Sequence, residues 1–159
     1  MVVWRITRLS HLALDGEGAR LHGGRWNSEG RAVIYISRSL SLAALEYLVH
    51  VDPLLAPSDL VAMEIELEED PSLGAGVEPA EFPPGDWRAY PAPEWQAELG
   101  DLWLADGTFL WLSVPSAIVP EEHNVLINPA HAGMAAVRVL STRPFGFDKR
   151  LLTRGSASR

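Results

Sequence analysis

The chain contains no cysteine, and this absence removes several chemistries at once. Without thiols there can be no disulfide framework, no cysteine-based zinc ribbon and no cysteine nucleophile. Long apolar runs are also missing, since none reaches the roughly 18–20 residues needed to span a bilayer. The first ten residues, MVVWRITRLS, lack the apolar core of a signal peptide. We therefore expect a cytoplasmic protein with no membrane partner.

Positive charge is scarce as well. The 13 Lys and Arg residues stand against 21 Asp and Glu residues, which gives a formal net charge of -8. A field of this sign repels phosphate backbones, so we expect no direct nucleic-acid partner. The basic residues are nevertheless concentrated near the N-terminus, which leaves room for a local anion site. They are Arg5, Arg8, Arg20, Arg25, Arg31 and Arg38.

Several catalytic and binding motifs are absent. The five histidines show no HExxH or other zinc spacing, so we assign no metal. The segment GEGARL lacks the third small residue of a dinucleotide-binding GxGxxG/A loop, and no GxxxxGK[ST] loop is present. GxSxG is missing too, which argues against a serine esterase. Among common enzyme signatures, none identifies this chain.

The apolar patterns predict a single α+β domain. A helix capped by Ser39 or Ser41 and a second helix beginning near Pro93 are expected from capping and spacing. Because strands and helices alternate irregularly, a doubly wound βαβ fold is disfavoured. Short β-branched or alternating runs predict strands at residues 2–7, 32–37, 60–68, 109–114 and 137–140.

The remaining segments are predicted to be irregular. Residues 16–30 carry glycines and polar side chains and are interpreted mostly as loop. Residues 70–93 are rich in proline, glycine and acids, and are interpreted as a surface excursion. We place the domain at residues 1–150 and expect residues 151–159 to form a flexible tail.

One glutamate interrupts an apolar run. In LSLAALEYLVH, Leu42, Leu45 and Val49 can form a core-facing helical stripe, and Glu46 falls within it. A carboxylate there needs a partner or a water-filled pocket, because burying an unpaired charge is costly. One interpretation is a structural salt bridge, with Arg38 or an N-terminal arginine as the partner. The other is a functional carboxylate in a cleft.

The residues before Glu46 favour a ligand. Arg25 lies in a glycine loop where the backbone can approach a bound molecule. Trp26 offers a stacking face, Asn27 a bidentate amide, and Tyr35 follows on the short strand. An arginine that can hold two phosphate oxygens, an aromatic ring and a partly buried carboxylate together suit a dinucleotide.

Four segments in order resemble the RES-domain family: GARLHGGRWNSEG, VIYIS, LSLAALEYLVH and VPSAIVPEEHNVLINPAH. The family consists of toxins from bacterial toxin–antitoxin pairs of the Xre-RES type and is named for an arginine, a glutamate and a serine. The resemblance spans residues 4–147. It maps the arginine onto Arg25, the tyrosine onto Tyr35, the glutamate onto Glu46 and the serine onto Ser116. The family usually has a proline where this chain has Ala132.

The resemblance implies an ADP-ribosyltransferase-like fold, with a split mixed β-sheet and flanking helices, that uses NAD+ as its substrate. The implied catalytic residues are Glu46, Arg25 and Tyr35. Glu46 would accept a hydrogen bond from a ribose hydroxyl and stabilise an oxocarbenium-like transition state. The loop HNVLINPAH would place Asn124, Asn128 and His131 near the pocket. The implied NAD-binding residues are Arg25, Trp26, Asn27, Tyr35, Ser116, Asn128 and Arg5.

The family also implies partners. These are a cognate antitoxin with a helix-turn-helix domain and, for some members, a target protein that receives ADP-ribose. No motif distinguishes a protein acceptor from water or phosphate. The alternative to an enzyme is a non-catalytic module that binds a nucleotide or a protein, with Glu46 in a structural salt bridge.

Overall fold

A computed structural model describes residues 1–51 and 57–152 of the chain. It contains one seven-stranded sheet with helices against it. The strands are β1 (Val2–Arg8), β2 (Ile34–Ser37), β3 (Leu60–Leu67), β4 (Gly74–Gly76), β5 (Trp111–Pro115), β6 (His123–Ile127) and β7 (Val137–Pro144). The helices are α1 (Glu17–His22), α2 (Leu40–Leu48), α3 (Glu94–Asp106) and α4 (Lys149–Leu152).

The strand order across the sheet is β4-β5-β6-β2-β1-β3-β7. β4 and β5 are parallel, whereas the other neighbours are antiparallel, so the sheet is mixed. β1 and β2 are joined by one register pair, Trp4 with Ser37. The sheet is therefore split at this point into a four-strand half and a three-strand half. The predicted α+β architecture with a split mixed sheet and flanking helices is confirmed.

Side-chain alternation along the strands divides the core between the two faces of the sheet. One face buries Val3 of β1 together with alternate residues of β2, β3 and β6. On the other face, Trp4 and Ile6 pack against α2. The same face carries Leu126 and Tyr35, which pack in the cluster around Trp103 of α3. Helices α2 and α3 thus lie on one side of the sheet.

The predicted strands and the two main helices are present, and the structure adds α1, β4, β6 and α4. The segment interpreted as loop contains α1, and the proline-rich excursion contributes β4 as an edge strand. β6 is not predicted from the sequence, because the surrounding residues 115–134 mix short apolar runs with prolines, asparagines and histidines. α1, β4 and β6 are each held by contacts outside their own segment or by glycine geometry, which local patterns do not reveal.

The predicted flexible tail falls largely outside the described residues. Leu151 and Leu152 belong to α4, and residues 153–159 lie beyond the part of the chain that the structure describes. Over residues 1–51 and 57–152, the helices are too short or too polar to cross a bilayer. In the same ranges, no three His, Asp or Glu side chains are grouped as a metal site.

Candidate functional site

Glu46 lies on α2, near the middle of the seven-stranded sheet. The helix begins at a Ser39 cap, whose hydroxyl accepts a hydrogen bond from the Leu42 backbone N–H at 3.1 Å. The expected stripe is partly wrong, because Leu45 and Val49 are 41% and 59% exposed. The face of α2 that packs on the sheet instead runs through Leu42 and Ala43. Glu46 is one helical turn beyond these two residues, so it still faces the sheet.

The Glu46 carboxylate is held by two neutral donors, one directly after β5 and one on β6. The Ser116 hydroxyl donates to Oε1 at 2.8 Å, and the Asn124 side-chain amide donates to the same oxygen. Asn124 is itself oriented by the Ser37 hydroxyl, which donates to its Oδ1 at 2.7 Å. Ser116 is fully buried and also accepts two backbone N–H bonds. Oε1 is therefore fixed by a continuous hydrogen-bond network.

The second carboxylate oxygen of Glu46, Oε2, has a different environment. Within residues 1–51 and 57–152, it accepts no hydrogen bond from the chain, and Glu46 forms no ion pair. Arg38, the partner considered for a structural salt bridge, instead donates to the Ser113 hydroxyl at 3.4 Å. The salt-bridge interpretation is thus contradicted over these residues. Among them, Oε1 is anchored by two donors while Oε2 accepts no hydrogen bond.

Arg25 is held on the same side of the sheet by α3 and by the proline-rich excursion. Its Nη1 donates to the Gln96 side-chain oxygen and to the Trp87 carbonyl, each at 2.8 Å. Its Nη2 donates to the Ala89 carbonyl at 3.0 Å. The excursion predicted as a surface feature therefore supplies two of the three acceptors that orient this guanidinium.

Arg25 interacts electrostatically with both Glu46 and Tyr35. Burial lowers the pKa of the Arg25 guanidinium, while attraction to Glu46 and Tyr35 raises it to a smaller extent. The positive charge of Arg25 in turn acts to lower the pKa of Tyr35. These couplings link Arg25 to Glu46 and to Tyr35. The packing of α2, of α3 and of Tyr35 places the three residues on the same side of the sheet.

The Tyr35 hydroxyl fastens the glycine loop to β2. It donates to the Asn27 Oδ1 at 2.7 Å and accepts from the Trp26 backbone N–H at 3.0 Å. Gly24 is needed here because a Cβ at that position would collide with the Tyr35 hydroxyl. Burial is the main cause that raises the Tyr35 pKa above its ordinary value. The phenol therefore stays protonated and able to donate at neutral pH.

Replacing Tyr35 by phenylalanine should destabilise the fold. Tyr35→Phe leaves the Asn27 oxygen and the Trp26 N–H without their partner, which we expect to cost about 2 kcal/mol near pH 8. The folded pKa of Tyr35 is raised, so as pH rises above about 10 the unfolded chain loses the phenolic proton first. The stability advantage of wild type should therefore shrink by about 1.4 kcal/mol per pH unit in this range. Urea unfolding of both proteins between pH 8 and 11 measures it, and parallel pH curves would contradict the assignment.

Trp26 and Asn27 do not present the surfaces predicted for them. The Trp26 side chain is 3% exposed and packs edge-on against Trp95 and in a tilted contact against Phe82. Asn27 is 1% exposed, and its amide nitrogen donates to the carbonyls of three residues in its own region. Core packing and backbone hydrogen bonding use these side chains fully. Both residues shape the loop that carries Arg25 rather than facing a ligand.

Arg5 is separated from the other predicted residues by the sheet. Alternation along β1 puts Arg5 on the face of Val3, opposite the face where Trp4 and Ile6 pack against α2. The Arg5 guanidinium donates to the Ala13 carbonyl at 3.0 Å. Its pKa is lowered mainly by burial. The expected second cationic contact with the nucleotide is not supported by this position.

Asn128 and His131 also lie outside the Glu46 network. Asn128 follows β6 and accepts the Ala130 backbone N–H at 3.0 Å, about 13 Å along the strand from Asn124. His131 caps a short 3-10 helix by accepting the Gly133 N–H at 2.9 Å. Of the three residues expected from the HNVLINPAH loop, only Asn124 contacts the proposed catalytic carboxylate.

Sequence reasoning missed two contributors, Gln96 and Ser37. Gln96 is fully buried on α3, in a stripe with Gly100 and Trp103. Glu46 is identified as a polar side chain inside an apolar helical stripe. The same sequence pattern also identifies Gln96. Ser37 carries no comparable signal, since a serine at a strand end is typical of a turn.

One family model matches almost the whole chain. The model described as RES domain matches residues 2–148 of the chain. The chain belongs to the RES domain family. The match spans nearly the whole of the predicted domain and includes every residue of the candidate site.

Two named proteins are similar to this chain over most of its length. The chain is 39% identical over 157 residues to a protein of Yersinia enterocolitica named Toxin Res, covering 95% of this chain and 99% of the relative. It is 37% identical over 140 residues to a protein of a Sphingobium species named Prs ADP-ribosylating toxin, covering 87% of this chain and 86% of the relative.

A solved structure shares the fold of this RES domain. A chain from the crystal structure of the M. tuberculosis MbcT-MbcA toxin–antitoxin complex superposes with a TM-score of 0.73. The alignment covers 91% of this chain and 83% of the other at 17% sequence identity. At that identity the similarity establishes the common fold.

Proposed function

We propose that this RES domain is the toxin of a toxin–antitoxin pair and that it cleaves the nicotinamide–ribose bond of NAD+. The main support is the hydrogen bonding of the Glu46 carboxylate. Ser116 and Asn124 donate to its Oε1, while Oε2 has no partner among the described residues. The Arg25 guanidinium lies close enough to interact with this carboxylate. The relative named Toxin Res supports the role of a toxin, and the one named Prs ADP-ribosylating toxin supports the transfer of ADP-ribose.

The proposed chemistry follows from the available oxygen. Oε2 of Glu46 accepts a hydrogen bond from a ribose hydroxyl, and its negative charge stabilises the oxocarbenium-like transition state. The bond between the ribose anomeric carbon and the nicotinamide nitrogen breaks, and its electron pair passes to that nitrogen. Nicotinamide then leaves as a neutral molecule. A nucleophile adds to the anomeric carbon and loses a proton, which completes the transfer of ADP-ribose.

The other two proposed catalytic residues contact the substrate and orient it. Arg25 holds the diphosphate or ribose through N–H bonds, and Tyr35 lies against the nicotinamide or ribose. Ser116 acts through Glu46, because its hydroxyl already donates to that carboxylate. Glu46, Arg25 and Tyr35 are thus the proposed catalytic group.

The proposal includes an antitoxin with a helix-turn-helix domain and a cytoplasmic site of action. A solved chain of the same fold comes from a toxin–antitoxin complex, which supports an antitoxin as partner. The acceptor is water, phosphate or a target protein. An acidic chain of net charge -8 suits DNA contact made by the antitoxin rather than by this domain.

The deciding experiment follows free nicotinamide when the purified chain is incubated with NAD+. It is run in phosphate-free buffer, in phosphate buffer and with a cell extract that supplies protein acceptors. We expect nicotinamide release, and the form of the product identifies the acceptor as water, phosphate or protein. NAD+ binding without nicotinamide release would instead support the non-catalytic module. If the protein neither binds NAD+ nor releases nicotinamide, both the enzyme and the nucleotide-binding module are contradicted.

A further inference from the structure

Gln96 is a buried polar side chain with only half of its amide in use among the described residues. It is fully buried on α3, and its Oε1 accepts from Arg25 Nη1 at 2.8 Å. A guanidinium has donors and no acceptor, so the amide must turn its oxygen toward Arg25. Its Nε2 then points elsewhere and has no hydrogen-bond partner in the described part of the chain.

This arrangement costs stability that an apolar side chain would avoid. Buried donors without partners are rare in folded proteins and each calls for a reason. Leucine or methionine at the same helical position would fill similar space without an unpaired N–H. The one interaction that those residues would lose is the acceptor for Arg25.

The hydrogen-bond acceptor that α3 offers to Arg25 differs from the two acceptors that the proline-rich excursion offers. Trp87 and Ala89 contribute backbone carbonyls from a turn that is held by an Ala89 N–H bond to the Asp86 carbonyl at 3.1 Å. Gln96 projects from the first turns of a 13-residue helix. A side chain on a helix fixes a neighbour more rigidly than a surface turn does.

We propose that Gln96 is a positioning residue that sets the orientation of the Arg25 guanidinium for substrate, an inference that rests on the proposed function. The amide oxygen holds Nη1 against α3, so the guanidinium plane is defined before NAD+ arrives. Preorganisation of this kind raises kcat/KM because the charge needs no rearrangement at the moment of reaction.

The test replaces Gln96 by methionine, which keeps the length of the side chain and removes the acceptor. We expect Gln96→Met to fold with a Tm equal to or above wild type, because the unpaired donor disappears. Its kcat/KM for nicotinamide release should fall by about 10- to 100-fold. Rotation about the Arg25 Nε–Cζ bond, measured by ¹⁵N NMR, should become faster.

Two further variants sharpen the test. Trp103→Phe removes another buried donor of α3 that is unpaired among the described residues, the Trp103 indole N–H, without touching Arg25. It should lower Tm by leaving a cavity while kcat/KM stays within about twofold of wild type. Gln96→Glu restores an acceptor oxygen beside Arg25, so rotation of the guanidinium should slow again.

The two readouts separate this inference from the proposed function. If wild type releases no nicotinamide, the proposed function fails, and the NMR measurement still decides whether Gln96 restrains Arg25. Unchanged Arg25 rotation in Gln96→Met would overturn the inference, as would unchanged kcat/KM in an active protein. A loss of activity that merely follows a lowered Tm would assign Gln96 a structural role and overturn it too.

Discussion

Glu46→Gln should lower nicotinamide release by about 100- to 1000-fold while the fold remains intact. The substitution keeps the size of the side chain and an oxygen that can accept from Ser116 and Asn124. What it removes is the negative charge that would face the positive charge developing on the ribose. Steady-state kinetics of NAD+ cleavage, with urea unfolding of the same preparations, measure both quantities.

A matched control is available on α3. Glu98 is exposed and lies outside the Glu46 network, so Glu98→Gln makes the same chemical change where no ligand is expected. We expect it to retain wild-type kinetics. Should Glu46→Gln release nicotinamide at the wild-type rate, the carboxylate has no part in the chemistry. A large loss of unfolding free energy with no kinetic change per folded molecule would assign Glu46 a structural role.

Gly100→Ala should destabilise the protein by about 2–4 kcal/mol, even though alanine is the better helix former. A Cβ at Gly100 would lie far inside van der Waals contact with the Trp26 carbonyl oxygen. Backbone atoms cannot rotate away as a side chain can, so α3 or the loop carrying Arg25 must shift. The gain in helix propensity of about 1 kcal/mol does not offset this clash. Calorimetry should show Tm lowered by about 6–12 °C.

The same substitution at a second helical glycine gives the opposite expectation. Gly18 lies in α1, and a Cβ there would meet no atom within 4 Å. Gly18→Ala should therefore raise the free energy of unfolding by up to about 1 kcal/mol. Equal effects of the two substitutions would show that helix propensity, and not the contact between α3 and Trp26, determines the cost at Gly100.

Local patterns predicted much of the architecture because they depend on nearest neighbours. The alternation in β3 and the Ser39 cap of α2 are properties of a few adjacent residues; the cap is present, and burial alternates in the second half of β3. The stripe argument for α2 selected Glu46 as unusual yet assigned the wrong face to Leu45 and Val49. A periodicity of 3.6 defines which residues share a face and leaves open which side of that face meets the sheet.

Trp26 shows a second limit of prediction from local sequence. An aromatic residue beside an arginine in a glycine loop suits both stacking on a ligand and packing in a core. Only the position of Phe82 and Trp95, from segments more than fifty residues away, decides for packing. Likewise, the sequence predicts Arg5 as a second cationic contact for the nucleotide. In the structure, β1 places Arg5 on the face of the sheet opposite α2.

By itself, the sequence determined the class of fold, the absence of thiol chemistry and the family, and it predicted Arg25, Tyr35 and Glu46 as the catalytic residues. These follow from composition and from motifs that are short along the chain. Tertiary structure alone decided how the three are held. Gln96, Ser116 and Asn124 reach Arg25 and Glu46 across seventy or more positions, through the register of β2 with β6 and the packing of α3. Such contacts depend on how helices and strands that are far apart in the chain pack together, and local sequence periodicity does not predict that packing.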